Sequence, residues 1–293
     1  MNVNEKYKDR LFRFIFGDPE HKERTLELYN ALNGSGYDIP EELELMTIEG
    51  VLYLSMKNDV GFLIDTEMDL WEHQSTWNPN MPLRGLLYFS QMYNRYASEK
   101  GLNIFGWKKH ILPTPRYYVF YNGDRGMEDD VELRFTDSVT RPEDSCIEVT
   151  ARVLNINAGH NRKIMEESRH LREYAELVRW LRDATRGMKE KSEIQAAVIR
   201  VADQCIADGI LRNILIRNKD EVIDMFMTEY DEIKAMRRMA RDGREEERDL
   251  LKQATEYLIS QGRESEVINL NLNDQFFEAV LKEAGLEYSD DWE

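Results

Sequence analysis

Two cysteines in 293 residues, Cys146 and Cys205, are too few for a disulfide framework or a four-ligand zinc set. They read as small apolar fillers in a reducing compartment. No run approaches the roughly eighteen consecutive apolar residues of a membrane span. The opening MNVNEKYKDRLFRFIFGD also lacks the apolar stretch and small-residue cleavage site of a secretory signal. A cytoplasmic chain with no membrane partner is the expectation. Basic charge is in deficit as well, with 39 Lys and Arg against 56 Asp and Glu, a net charge of −17. Residues 1–157 carry 17 basic and 26 acidic side chains, and residues 158–293 carry 22 and 30, so the acidity is no tail effect. Strong non-specific attraction to a polyanion is therefore not expected unless basic residues gather in three dimensions.

What is present is enough apolar and aromatic residue to build a core, and the chain has room for one large domain or two ordinary ones. Helices are expected from about Glu5 to Phe16, stopped by Gly17-Asp18-Pro19, and from about Glu20 to Leu32, stopped at Asn33-Gly34-Ser35-Gly36. A strand is expected near Leu45–Met56. A further helix runs to about Ser98, with Asn80 as N-cap and Pro82 in its first turn. Tyr117–Tyr121 reads as a strand, as does Ile147–Ile156, the latter paired with Glu132–Phe135. From about Arg162 the pattern turns helical, with Leu171, Ala175, Val178 and Leu181 at three-to-four spacing, which places a domain boundary near 157–160. Residues 237–248, RRMARDGREEER, are a mixed-charge run, a solvated helix or a linker.

The chemistry concentrates in NDVGFLIDTEMDLWEHQ, residues 58–74, which alternates as one β-hairpin with its turn near Thr66-Glu67. Asp59 lies on the side opposite Val60, Phe62 and Ile64. Glu72 and Gln74 share a face of the second strand, with His73 on the other. The turn folds Asp59 back beside Glu72 and Gln74. Two carboxylates so placed suit Mg²⁺, a hard cation that takes oxygen ligands and keeps several waters, and such an ion lowers the pKa of a bound water.

Asp59, then Glu72-His73-Gln74 thirteen residues on, resembles the PD-(D/E)XK nuclease motif, with Asn58 where proline is usual and Gln74 where lysine is usual. The ordered segments YKDRLFRFIFGD, LELYNALNG, KNDVGFLID, EHQSTWNPNMPLRGLLY, PRYYVFYNG and LREYAELV are similar to the recombination-promoting nuclease / putative transposase branch. That resemblance implies a restriction-endonuclease-like α/β core, a mixed sheet flanked by helices, over residues 1–157, with an all-helical C-terminal region over 158–293. It implies a DNA endonuclease that uses Mg²⁺, with Mn²⁺ as substitute, in recombination or transposition, and a homodimer would suit cleavage of both strands. Asp59, Glu72 and Gln74 are the implied catalytic residues. Asp59 and Glu72 are the implied metal ligands, with Glu27 on the second helix as an outer carboxylate.

Glutamine orients water through its amide but brings no charge. Lys57 is one candidate for a displaced positive charge and a surface lysine is the other reading. Arg84 and Gln91 are candidates to face DNA from the helix after the hairpin. The rival functions are a catalytically silent nuclease fold that binds or regulates, and an assembly protein that self-associates through its C-terminal helices. Glu167-x-x-His170 has no second copy to make a di-iron site. His21, His110 and His160 have no nucleophile beside them, and Asn33-Gly34-Ser35-Gly36 has neither the spacing nor the lysine of a phosphate loop.

Overall fold

The computed structural model describes residues 6–46, 59–188, 190–271 and 274–286. Two helices come first, α1 (Lys6–Phe16) and α2 (Lys22–Asn33). α2 ends where Gly34 takes a left-handed conformation, φ 62°, and its N–H returns to the Asn30 carbonyl. A short β1 (Glu44–Met46) precedes the hairpin of β2 (Val60–Ile64) and β3 (Glu67–Gln74). Only two residues, Asp65 and Thr66, make the turn, one place earlier than the spacing suggested, with Asp65 at φ 49°. The strand expected over Leu45–Met56 is seen only as β1, because residues 47–58 lie outside the described residues.

From β3 the chain crosses through α3 (Met81–Glu99) to β4 (Thr114–Tyr121), which runs parallel to β3. β5 (Asp130–Arg134) and β6 (Thr150–Asn155) follow, with β6 parallel to β4 and β5 antiparallel on its outer side. The six strands lie in the order β1-β2-β3-β4-β6-β5, a mixed sheet flanked by helices. The protein is an α/β fold.

Strand alternation sorts the sheet's side chains onto two covered faces. Met68, Leu70, Tyr117, Val119 and Tyr121 pack with Tyr88, Phe89 and Met92 of α3. A Cβ on Gly85 would stand 2.5 Å from the Tyr117 ring, so the absence of a side chain there lets α3 approach β4 closely. On the other face Phe62, Trp71, Tyr118, Phe120 and Leu154 join Leu11, Phe12 and Ile15 of α1 and Leu28 of α2.

The same core takes in α5 (Arg169–Thr185), α6 (Lys191–Asp208) and the first part of α7 (Arg212–Ser260), after the short α4 (Arg162–Glu167). Leu171, Ala175, Val178 and Leu181, the stripe visible in the sequence, are all buried in it. The boundary expected near 157–160 therefore falls inside a compact unit, and the chain divides between Tyr230 and Asp231. The physical reason is coverage. The strands bury apolar side chains on both faces, and the α1/α2 face is closed only when α5 joins it. The second unit has its own core of Leu250, Ala254, Leu258, Leu270, Val280 and Leu281, from α7, a 3-10 stretch (Glu264–Asn271) and α8 (Asp274–Ala284). Every regular element described in residues 158–293 is a helix, and the charged run at 237–248 lies within α7. No helix among the described residues is long and apolar enough to cross a membrane.

One buried acid lies outside the candidate site. Asp69 of β3 is fully buried, and its Oδ2 has no hydrogen-bond partner among the described residues. Burial pushes its pKa up to about 7, with the Trp71 N–H opposing the rise. A carboxyl whose folded pKa exceeds its unfolded value loses stability as pH rises through that interval. Asp69→Asn should therefore raise the melting temperature at pH 8, and the gain should fade as pH drops toward 4. Paired thermal melts across that range check it; a gain that does not depend on pH would contradict the assignment.

Candidate functional site

The hairpin register places the two acids. Val60 lies opposite Trp71 and Gly61 opposite Leu70, so one further step brings Asp59 opposite Glu72 on the face that α3 covers. The pairing follows from the alternation Val-Gly-Phe-Leu-Ile against Glu-Met-Asp-Leu-Trp-Glu, since a one-residue slip would turn Trp71 and Phe62 out of the core.

Glu72 is fully buried and every oxygen is engaged. The Tyr117 hydroxyl of β4 donates to Oε1, and the Gln74 amide donates to Oε2 at 3.4 Å. Arg84 of α3 reaches Oε2 at 2.6 Å. Burial pushes the Glu72 pKa up to about 7, against the Arg84 charge and the Tyr117 hydrogen bond. Asp59 differs. Its Oδ2 is shielded from solvent with no hydrogen-bond partner among the described residues. Burial, and then the charge of Glu72, drive its pKa well above the usual carboxylate range, with Arg84 and the Tyr88 hydroxyl opposing. Burial works against the Arg84 charge, but Glu72, Tyr88 and Asp59 outweigh it and raise its pKa. Arg84 also donates to Tyr88 Oη at 2.9 Å. The result is a buried group of two acids and one guanidinium, one positive charge short of neutrality when both acids are ionised.

No protein-family model, curated protein or solved structure matches this chain.

Asp59, Glu72 and Gln74 thus stand together as their spacing suggested. Glu27 does not join them. Its carboxylate accepts from Ser168 Oγ and from the backbone N–H of His170, each at 3.0 Å, and lies 3.0 Å from His170 Nδ1. Burial works against its charge, but the bonds from His170 and Ser168 outweigh it and lower the pKa. Glu27 ties α2 to the first turn of α5. The reason is chain path: α2 packs beside α5 on the sheet face opposite the one that bears Glu72.

The acid that α1 does bring near is Asp9, whose charge raises the pKa of both Asp59 and Glu72. It also lies 2.7 Å from Nδ1 of the buried His73, whose Nε2 lies 2.9 Å from the Tyr174 hydroxyl. Burial lowers the His73 pKa in spite of Asp9. His73 faces away from Glu72, as the alternation required. Arg84, one of the two candidates to face DNA, turns inward onto Glu72. Lys57 and Asn58 lie outside the described residues. Tyr88 and Tyr117 had no motif to mark them. Asp9 had one signal, an acid within the apolar run of α1, though nothing in its spacing pointed at the hairpin.

Among the described residues no group of three or more His, Cys, Asp or Glu is placed to hold a metal. The pair Asp59 and Glu72 is the remaining candidate for a divalent cation. Mg²⁺ is held by one or two carboxylates when water and phosphate oxygens complete its shell. An unpartnered Asp59 oxygen beside a second acid fits that donor set.

Proposed function

We propose that the protein is a Mg²⁺-dependent hydrolase of DNA phosphodiesters with a restriction-endonuclease-like core, as the resemblance to the recombination-promoting nucleases implied. The observation that carries this reading is the buried pair Asp59 and Glu72, with one Asp59 oxygen that has no hydrogen-bond partner among the described residues. Two adjacent acids in a poorly hydrated site cost free energy unless a cation or protons neutralise them. Folds keep such costs where chemistry needs them.

Asp59 and Glu72 would hold the ion, which when bound supplies an acidified water and charge for the phosphate. Gln74, on the same strand face as Glu72, orients water through its amide and accepts or donates as the pose requires. Arg84 offers what glutamine lacks. It is a permanent positive charge on the facing helix, and its planar fork matches phosphate oxygens once it swings from Glu72. Tyr117 keeps Glu72 in place by donating to its other oxygen.

The three-fold engagement of Glu72 favours one second reading, a silent nuclease fold that binds without cutting. In that case Arg84 is the permanent counter-ion of Glu72 and no metal displaces it. Titrating Mg²⁺ and then Mn²⁺ into the protein, while following both its melting temperature and the nicking of supercoiled plasmid at low salt, separates the two. A working site should show metal-dependent stabilisation and nicking that EDTA abolishes. Neither response from folded protein would leave the silent fold.

A further inference from the structure

A cleft of about 510 Å³ opens on the other side of the first unit, lined by α2, the start of α5 and the first turns of α7. Four arginines line it, Arg24, Arg169, Arg212 and Arg217. Two are accounted for, because Arg169 is paired with Glu173 and Arg212 donates to the Ile206 carbonyl at 2.8 Å. The other two are held less firmly. The Arg24 side chain is only 10% exposed, and its guanidinium donates no hydrogen bond to any described residue. It forms long ion pairs with Asp18 and Glu23, at 3.8 and 4.0 Å, too far for a hydrogen bond. Arg217 is exposed and has no ion pair with a described residue. The two guanidinium charges feel each other. Burial lowers the Arg24 pKa, the two distant acids partly restore it, and Arg217 lowers it again.

The cleft's acids are largely committed. Asp18 accepts the Glu20 N–H at 2.9 Å, Glu23 lies 3.0 Å from His21 Nδ1, and Glu173 takes Arg169 and the Leu211 N–H. Glu20 is exposed. A nearly buried arginine without hydrogen bonds, beside a second arginine, is an unfavourable arrangement that an anion between them would reverse. A carboxylate is planar and satisfies one fork. A phosphate presents several oxygens in different directions, so it can take donors from α2 and α7 at once.

We propose that this cleft binds a phosphate group, held between Arg24 and Arg217. The group belongs either to a free phosphorylated small molecule or to the phosphorylated end of a nucleic-acid strand. The site lies on the α2/α5 face and shares no residue with the Asp59–Glu72 pair. It stands whether or not that pair cuts DNA.

The test is calorimetric titration of the full-length protein, at constant ionic strength, with inorganic phosphate, AMP, and one oligonucleotide carrying a 5′-phosphate or a 5′-hydroxyl. Phosphate should bind saturably and raise the melting temperature. Arg217→Gln should weaken binding about tenfold or more while the phosphate-free melting temperature stays unchanged, since Arg217 is exposed. Arg24→Gln should weaken it further. AMP binding at least as tightly as the phosphorylated oligonucleotide identifies a small-molecule ligand. A marked preference for the 5′-phosphate over the 5′-hydroxyl strand, with weak AMP binding, identifies a strand end. No saturable binding of any phosphate probe, or unchanged binding in Arg217→Gln, overturns the proposal. Cleavage plays no part in the readout, so failure of the nuclease reading would be seen separately.

Discussion

Asp59→Asn should abolish metal-dependent nicking and, in the same molecule, raise stability at neutral pH. The two effects have one cause. Asp59 places an oxygen in a shielded site without a hydrogen-bond partner among the described residues, opposite a second buried acid. Its charge is the feature that would attract Mg²⁺, and in the metal-free protein it is also a liability. An amide is nearly isosteric, so it keeps the packing while removing a ligand charge. Several kcal/mol of transition-state stabilisation lost with the metal corresponds to a rate loss of about a hundredfold or more. The sign of the stability effect follows from linkage. The folded pKa of Asp59 lies well above its ordinary value, as does that of Glu72 at about 7. Stability from such groups is fully present below the unfolded value near 4 and is lost as pH rises through the folded value. The gain from Asp59→Asn should therefore be largest near pH 8 and fade toward pH 4. Chemical denaturation at several pH values, run beside the plasmid assay, measures both. Full nicking by the variant would remove Asp59 from the chemistry. A stability loss at pH 8 would show that the Tyr88 hydrogen bond and the Arg84 charge outweigh the cost of burying its carboxylate.

The hairpin was legible because strand alternation has a period of two and one slip reverses every side chain. Val60, Phe62 and Trp71 fix which face is core, so Asp59, Glu72 and Gln74 could only emerge on the other. The helices were legible through their stops, as at Gly34. What escaped the sequence is what arrives from distant chain. Arg84, Tyr88 and Tyr117 meet Glu72 because α3 lies across β3 and β4, a contact that depends on the close approach at Gly85. Asp9 comes near because α1 covers the hairpin from the opposite face. The boundary near 157–160 misled for a related reason. A change from strand to helix pattern marks a change of element, not of core, and Leu171, Tyr174 and Val178 close the same core as Phe12 and Trp71. Glu27 shows the limit of carrying a role over by position on a helix, because α2 packs on the sheet face away from Glu72, where Ser168 and His170 take its carboxylate.

Arg84→Ala should be the most destabilising single change in the site, and the way it can be rescued discriminates between a metal site and a silent one. Arg84 stands 2.6 Å from Glu72, which has no exposure to water. Breaking a buried pair by deleting one partner typically costs about 3–5 kcal/mol, because the charge left behind is uncompensated. Here the loss has a ceiling, since Glu72 at about pKa 7 takes up a proton instead of remaining charged. The deficit should therefore be small near pH 5 and grow toward pH 8, as the stability of a carboxyl with a raised folded pKa is lost with rising pH. Glu72→Gln in the same background should recover most of it, giving a coupling energy from a double-mutant cycle. If Asp59 and Glu72 form a divalent-cation site, millimolar Mg²⁺ should restore stability to Arg84→Ala more strongly than it stabilises wild type. The reason is that the ion then enters a site the guanidinium no longer contests. In a fold that only binds, Mg²⁺ should leave the deficit as it was. Melting curves with and without Mg²⁺, in wild type, Arg84→Ala and Asp59→Asn/Arg84→Ala, decide it. Rescue that persists without Asp59 would place the ion elsewhere.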